Sequence, residues 1–408
     1  MAVLYISLDG MTDPLGQSQV LPYLENLTAY GHEIHLVSCE KKNAFNEQKS
    51  TIRNRIKNYS IQWHPIQYET SHGLLSRTKN VRNLFKQAAK LCKEHNIVLI
   101  HARSYPASLV ALKLKTKFKI PFIFDMRGFW ADERVDGKIW DLKKPIHKFL
   151  YRYFKKKEKI LLEKSAHVIS LTQAAKNYMV THFSKHVYEQ KITVIPCCAD
   201  LDHFNLEKQT EREQFRAGLN IAGNSTVLIY SGSVGTWYLL EEMVAFFKKY
   251  LEKNPGAVFL VLTQKDHGLV HETFKRNKVE DSHYRVAAAS RHEVPAYIHA
   301  ADAGLYFIKP AFSKMASSPV KLAEFMACGL PVIANAGIGD VDNHAAENNQ
   351  VILVDELNET GFTKAIELFS NLKKDKRAAR NFAETNYSLK LGVERYKTVY
   401  ETILRLKN

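Results

Sequence analysis

The chain has 408 residues, is 45% hydrophobic and 25% charged, and carries a formal net charge of +16. That length predicts two or three domains, and the composition excludes a disordered or fibrous chain. No apolar run approaches the ~18 residues of a membrane helix. Met1 to Asp9 lacks the cationic start of a signal peptide. Five scattered cysteines show no zinc or redox spacing, which suits a reducing cytosol.

In chain order, Ala2 to Leu8 reads as a buried strand. A loop containing Gly10 and Gly16 follows, and Val20 to Tyr30 has helical spacing that stops at Gly31. Glu33 to Ser38 is the next strand. The alternation continues with a helix from Thr78 to Glu94, a strand Ile97 to His101 and a helix Pro106 to Lys115. Strand Phe122 to Asp125, a long helix from Pro145 to about Lys164, and strands near His167 to Leu171 and Ile192 to Ile195 complete the first half. The pattern restarts after Pro196, with strands at Thr226 to Ser231, Val258 to Thr263, Tyr284 to Val286, Ala303 to Phe307 and Pro331 to Ala334. Strands alternating with helices predict parallel sheets covered on both faces. The expected domains are residues 1–198 and 199–386, with a C-terminal helix in 387–408, Gly392 to Leu406, that crosses back to the first domain. Two such domains are expected to leave a ligand cleft at the carboxyl ends of their sheets.

The stretch Ser317-Ser-Pro-Val-Lys-Leu-Ala-Glu-Phe-Met-Ala-Cys-Gly-Leu-Pro-Val-Ile333 carries the most chemistry. It reads as a loop, a helix from about Val320 to Ala327, a stop at Gly329 and a buried strand. Ser317 and Ser318 are expected N-caps, with Pro319 in the first turn. A helix N-terminus attracts phosphate. Lys321 in that turn is unfavourable for the helix alone and sensible beside a diphosphate. Glu324, one turn on, is placed to accept hydrogen bonds from sugar hydroxyls. An ordinary capped amphipathic helix explains the same pattern.

This segment resembles the donor-binding segment of glycosyltransferase family 4, retaining enzymes of the GT-B fold that use nucleotide sugars. Four more stretches are similar to family segments in the family's order. They are Asp13 to Tyr23, Val194 to Phe204, Tyr230-Ser-Gly-Ser-Val-Gly235 and Ala300 to Leu305. The resemblance implies an α/β GT-B chain with two Rossmann-like domains. It implies donor contacts from Gly16, Gly232, Ser233, Gly235, Ser317, Ser318, Lys321 and Glu324. Glu324 matches the second glutamate of the family's E-x7-E motif, and the first is replaced by Ala316. The family's Arg and Lys after the first donor-domain strand are also absent, so Lys321, helped by Lys265 and Lys309, is expected to neutralise the diphosphate. Lys265 and Lys309 read equally as solvated loop lysines. The resemblance implies no metal and no cofactor, since the nucleotide sugar is a substrate.

Two strand ends of the first half hold clustered polar residues, His101-Ala-Arg-Ser104 and Asp125-Met-Arg-Gly128. His101 and Arg103 are acceptor-side candidates. Asp125 is a further acceptor-side candidate, to orient the acceptor hydroxyl or act as its base, and Arg127 is a candidate for donor-phosphate contact. With Lys321 these two form the expected catalytic set; an Asp125–Arg127 pair that simply fixes the loop is the alternative. Residues 1–200 hold 32 basic and 17 acidic side chains, against 26 and 25 in the rest. The excess recurs at helical spacing in Lys79, Arg82, Lys86, Lys90 and Lys93, and again in Lys144, Lys148 and Arg152. Basic amphipathic helices predict contact with an anionic membrane surface. No helix-turn-helix, zinc-finger or RNA-stacking signature is present, so no nucleic-acid partner is expected, and a nucleic-acid-binding protein is kept as the remote alternative because it would explain the charge. The expected protein is a cytoplasmic, membrane-peripheral hexosyltransferase acting on a saccharide or lipid-linked acceptor in capsule, lipopolysaccharide O-antigen or exopolysaccharide synthesis. An inactive or epimerase-like GT-B relative is the alternative.

Overall fold

The computed structural model describes residues 1–69, 74–207 and 212–405, with backbone alone for 74–77. The strands are β1 Ala2–Ile6, β2 Glu33–Glu40, β3 Ile61–Gln67, β4 Ile97–Arg103, β5 Phe122–Asp125, β6 His167–Ser170, β7 Ile192–Val194, β8 Val227–Ser231, β9 Val258–Leu262, β10 Tyr284–Ala287, β11 Ala303–Tyr306, β12 Val332–Asn335 and β13 Val351–Val354. The helices are α1 Pro14–Gln19, α2 Leu21–Thr28, α3 Lys42–Ile56, α4 Leu74–Glu94, α5 Ser104–Phe118, α6 Trp130–Asp136, α7 Pro145–Lys164, α8 Gln173–His182, α9 Arg212–Gly218, α10 Leu240–Lys253, α11 His267–Arg276, α12 Val294–Ala300, α13 Val320–Ala327, α14 Val341–Glu347, α15 Glu359–Ser370, α16 Lys376–Tyr387 and α17 Leu389–Arg405.

The chain forms two compact units. The first runs from Met1 to Pro196 and takes in the C-terminal segment from Leu389; the second is Cys197–Ser388. The first unit holds a seven-stranded parallel sheet in the order β3-β2-β1-β4-β5-β6-β7. The second holds a six-stranded parallel sheet in the order β10-β9-β8-β11-β12-β13. Both are doubly wound Rossmann-like sheets. The order reverses between β1 and β4 in one and between β8 and β11 in the other, and loops at such switch points form binding crevices. β9 is buried throughout and β1 and β8 in all but one end residue, as their continuous apolar runs predict.

The helix expected from Thr78 begins earlier, at Leu74, and the one expected at Pro106 begins at Ser104. The helices α3, α6, α8, α9, α11, α12, α14, α15 and α16 and the strands β3 and β13 are absent from the sequence reading, and three of them show why. α3 buries only Ile52 and Ile56 on a polar helix, so its periodicity is faint. β3 is interrupted by Pro65, which is tolerable because β3 is an edge strand. β13 is a four-residue strand at the edge of the second sheet. The helix expected from Gly392 starts at Leu389; its expected end, Leu406, lies outside the described residues. α17 packs on the first unit: Tyr396 meets Tyr23 edge-on at 5.5 Å, and Arg395 donates to the Val194 carbonyl at 3.0 Å.

Candidate active site

In the second unit, the loop after β8 turns through Gly232 (φ +141°) and Gly235 (φ +89°), backbone conformations that favour glycine. A Cβ on Gly232 would stand 3.3 Å from the Lys321 ammonium, so this glycine leaves room for the lysine head. The hydroxyl of Tyr230 holds the loop by donating to the Ser233 carbonyl. Tyr238 then bridges to Ile308 after β11, and Asn335 ties that turn by bonding both the amide and the carbonyl of Ile308.

α13 delivers the lysine. Its N-cap is Pro319, and no side chain caps it. This corrects the expected caps. Ser318 turns its hydroxyl to accept the Cys197 amide at 3.1 Å, Ser317 is half-buried in the preceding loop, and Pro319 stands one residue before the helix. The first amides of α13 therefore have no side-chain acceptor, which leaves an anion-attracting helix end. Lys321 is 6% exposed, and its ammonium lies 3.5, 5.1 and 5.8 Å from the ring centres of Tyr238, Tyr230 and Tyr306. It forms no salt bridge among the described residues. Cation–π contacts of about 0.5–2 kcal/mol offset only part of the several kcal/mol that desolvating an ammonium costs. An unneutralised charge beside open helix amides fits a diphosphate.

Glu324 is half-buried one turn later, and burial pushes its carboxyl up to about 7 despite the opposing charges of Arg291 and Lys321. Lys265 is exposed in the loop after β9, and Lys309 is half-buried after β11, its amide bonded to the Trp237 carbonyl. Ala316 is buried in a short 3-10 turn, Phe312–Ala316. That turn brings in a residue the sequence reading missed. Lys314 is buried, with its ammonium 3.6 Å from the Trp237 ring centre. Arg291 was missed as well, because it lies in a loop with no periodicity; its charge is what the Glu324 carboxyl feels.

In the first unit, the polar cluster forms at the carboxyl ends of β1, β4 and β5. Arg103 is buried and donates to Asp9 at 3.2 Å. Asp125 is fully buried. Its Oδ2 accepts from Tyr396 at 3.1 Å and lies 3.3 Å from His101 Nε2, and Arg127 approaches its Oδ1 at 3.9 Å. Tyr400 lies 2.7 Å from His101 Nδ1. Burial alone would raise Asp125, but Arg127, His101 and Arg103 outweigh it and hold the carboxyl below its usual range. Burial, aided by the two arginines, lowers His101 and keeps it neutral; the network then assigns Nε2–H to Asp125 and leaves Nδ1 to accept from Tyr400. The pairing alternative for Asp125 thus matches the geometry, and no oxygen of this carboxylate faces solvent as a base would require. Tyr396 and Tyr400 were missed because they sit about 270 to 300 residues away on α17.

Turn formation, the alternative explanation for Gly16, has a geometric basis. A Cβ there would lie 2.1 Å from the Gly10 carbonyl oxygen, so close packing of α1 on its own preceding turn requires it. Glu40 fixes that turn. Its buried carboxylate accepts from the amides of Met11 and Thr12 and from the hydroxyls of Thr12 and Ser38, at 2.8, 3.1, 2.6 and 2.5 Å.

Two family models match nearly all of this framework: Glycosyltransferase Family 4 over residues 18–203 and Glycosyl transferases group 1 over residues 211–386. The chain belongs to glycosyltransferase family 4. Solved structures similar to this glycosyltransferase include sucrose-phosphate synthase from Thermosynechococcus elongatus, with a TM-score of 0.74 at 15% identity over 99% of both chains. A glycosyltransferase from Rickettsia africae has a TM-score of 0.72 at 18% identity, over 99% of this chain and 98% of that one. HepE of Anabaena, solved with UDP and glucose, has a TM-score of 0.69 at 14% identity, over 98% and 99%. No curated protein sequence matches the chain. The enzyme is a glycosyltransferase of the GT-B fold.

The basic residues that recur along α4 and α7 of the glycosyltransferase are surface features. Lys79, Arg82, Lys86, Lys90 and Lys93 are exposed along α4, and Lys144, Lys148 and Arg152 at and along α7. Lys79 pairs with Glu69 and Lys90 with Glu94. The first half of α7 has no fully buried side chain; only Glu158, Leu161 and Leu162 of this helix are buried. Phe149 is 64% exposed beside these cations. No described helix is long and apolar enough to cross a membrane.

Proposed function

We propose that the enzyme transfers a hexose or N-acetylhexosamine, with retention, from a UDP-sugar to a lipid-linked or other saccharide acceptor. The carrying observation is Lys321, buried in a tyrosine cage with no salt bridge among the described residues, beside the uncapped N-terminus of α13. Charge builds on the leaving diphosphate as the glycosidic bond breaks, and preorganised donors aimed at it lower the barrier most. Lys321 supplies the cation, the amides of α13 and of the Gly232 loop supply dipoles, and Lys265 and Lys309 add to the field. This arrangement needs no metal and no cofactor. Glu324 accepts hydrogen bonds from the nucleotide ribose. UDP is favoured because the complexes of HepE contain it.

In the first unit, Arg103 and Arg127 are assigned to the acceptor, and His101 and Asp125 act as positioning residues that hold Arg127. The exposed cations of α4 and α7 and the apolar face of α7 favour an anionic membrane surface, hence a peripheral protein at the cytoplasmic face in capsule, O-antigen or exopolysaccharide assembly. A thermal-shift screen of nucleotide sugars tests the donor reading, because a ligand bound only by the native state raises Tm. UDP-sugars are expected to shift the wild type and to shift Lys321→Ala far less. An equal shift in both proteins would sink the assignment.

A further inference from the structure

The first unit contains an apolar cavity that sugar transfer leaves unused. Its volume is about 900 Å3, within the range of roughly 300–1,000 Å3 that encloses a whole organic ligand. Its walls come from α4, α5, α6, α7 and adjoining loops, with Phe85, Leu109, Trp130, Leu150 and Phe154 on the helices and Trp140 between α6 and α7. Protein interiors are close-packed, so apolar walls without contents forgo much dispersion energy. The space suits an apolar guest.

Two further observations say which guest. Arg82, Lys113 and Lys157 line the cavity, and none forms a salt bridge among the described residues. Phe149 and Tyr153, 64% and 40% exposed, also line it, so its apolar surface runs out onto the face of α7. A hydrocarbon chain with a phosphate at its end complements both features. The lining lies close in sequence to the polar cluster: it includes Leu8, next to Asp9; Pro106, three residues after Arg103; and Trp130, three after Arg127. A lipid seated here engages the same chain segments as the residues assigned to the acceptor, which favours the acceptor's own lipid over bulk membrane lipid.

We infer that this cavity takes the hydrocarbon chain of the phosphate-bearing lipid that carries the acceptor saccharide, with the phosphate held by Arg82, Lys113 and Lys157. The inference rests on the lipid-linked acceptor of the proposed function. Calorimetric titration with dodecyl phosphate below its micelle concentration tests it, beside dodecyl maltoside and inorganic phosphate. The expected result is one saturable site for dodecyl phosphate with a negative heat-capacity change, at least tenfold tighter than dodecyl maltoside, and no binding of inorganic phosphate. Leu109→Trp, which fills the cavity, is expected to weaken binding at least tenfold. Phe149→Ser, at an exposed position that folding does not need, is expected to do the same. Equal affinity for the two amphiphiles, or unchanged affinity in both variants, would overturn the inference. The nucleotide-sugar thermal shift is read on the same samples. An intact shift without dodecyl phosphate binding defeats this inference alone; dodecyl phosphate binding without a shift defeats the donor reading alone. Phosphatidylglycerol vesicles separate the lipid sources: stoichiometric release of the protein from vesicles by dodecyl phosphate would give the cavity to membrane lipid and overturn the assignment.

Discussion

Lys321 and Glu324 share one turn of α13. The Lys321 ammonium lies against three tyrosine rings. Lys321→Ala is therefore expected to lower kcat by about 100-fold or more, the scale of losing one preorganised donor at a developing anion, measured as UDP release. Glu324 is pushed up to about 7. As a hydrogen-bond acceptor it works ionised, so donor affinity should rise as pH increases from 6 to 8, and Glu324→Gln should flatten that profile. The stability effect has the opposite sign. A carboxyl raised in the fold favours the protonated state, so the ligand-free protein should lose stability as pH rises through about 7, and Glu324→Gln should remove that loss. Asp125 is held low, so its contribution persists into acid, below the usual carboxylate range. Asp125→Asn is expected to cost about 3 kcal/mol by unpairing buried partners, read from denaturant midpoints, while the shape of the pH–rate profile stays as in the wild type. A lost limb in that profile would restore Asp125 as a base.

At the scale of elements, the loops after β1 and β8 are held by groups that no local motif announces. Glu40 ends β2 and satisfies three donors of the turn at Met11 and Thr12 and the hydroxyl of Ser38. Glu40→Ala strands those donors in a buried site and is expected to destabilise the first unit by about 3 kcal/mol or more, visible as a lower urea midpoint. Gly304 of β11 shows the same dependence on tertiary packing. A Cβ there would lie 2.1 Å from the Phe325 ring, so α13 seats against β11 only because residue 304 is glycine. The donor segment was legible because a loop, a short helix, a glycine stop and a strand follow one another within seventeen residues. α3 and β3 were not, since a polar helix and a proline-bearing edge strand carry little periodic signal.

Over the whole molecule, the charge divides between the units, and its excess sits on exposed helix faces of the first. Replacing Lys86, Lys148 and Arg152 with serine should weaken binding to anionic vesicles by about 3 kcal/mol, at roughly 1 kcal/mol per cation, in a sedimentation assay at low salt. Binding that is unchanged would assign the excess charge to solvation alone. The sequence by itself determined the alternation of strands and helices, the family, the lysine and glutamate of α13 and the bias of charge, because each is written in local spacing or in composition. Tertiary structure decided the rest. It placed Tyr230, Tyr238 and Tyr306 around Lys321, turned Ser318 away from capping, closed Asp125 beneath residues from α17, and opened a cavity among four helices. Those outcomes depend on side chains from distant segments meeting across a fold, where burial sets which charges stay unpaired and which are neutralised.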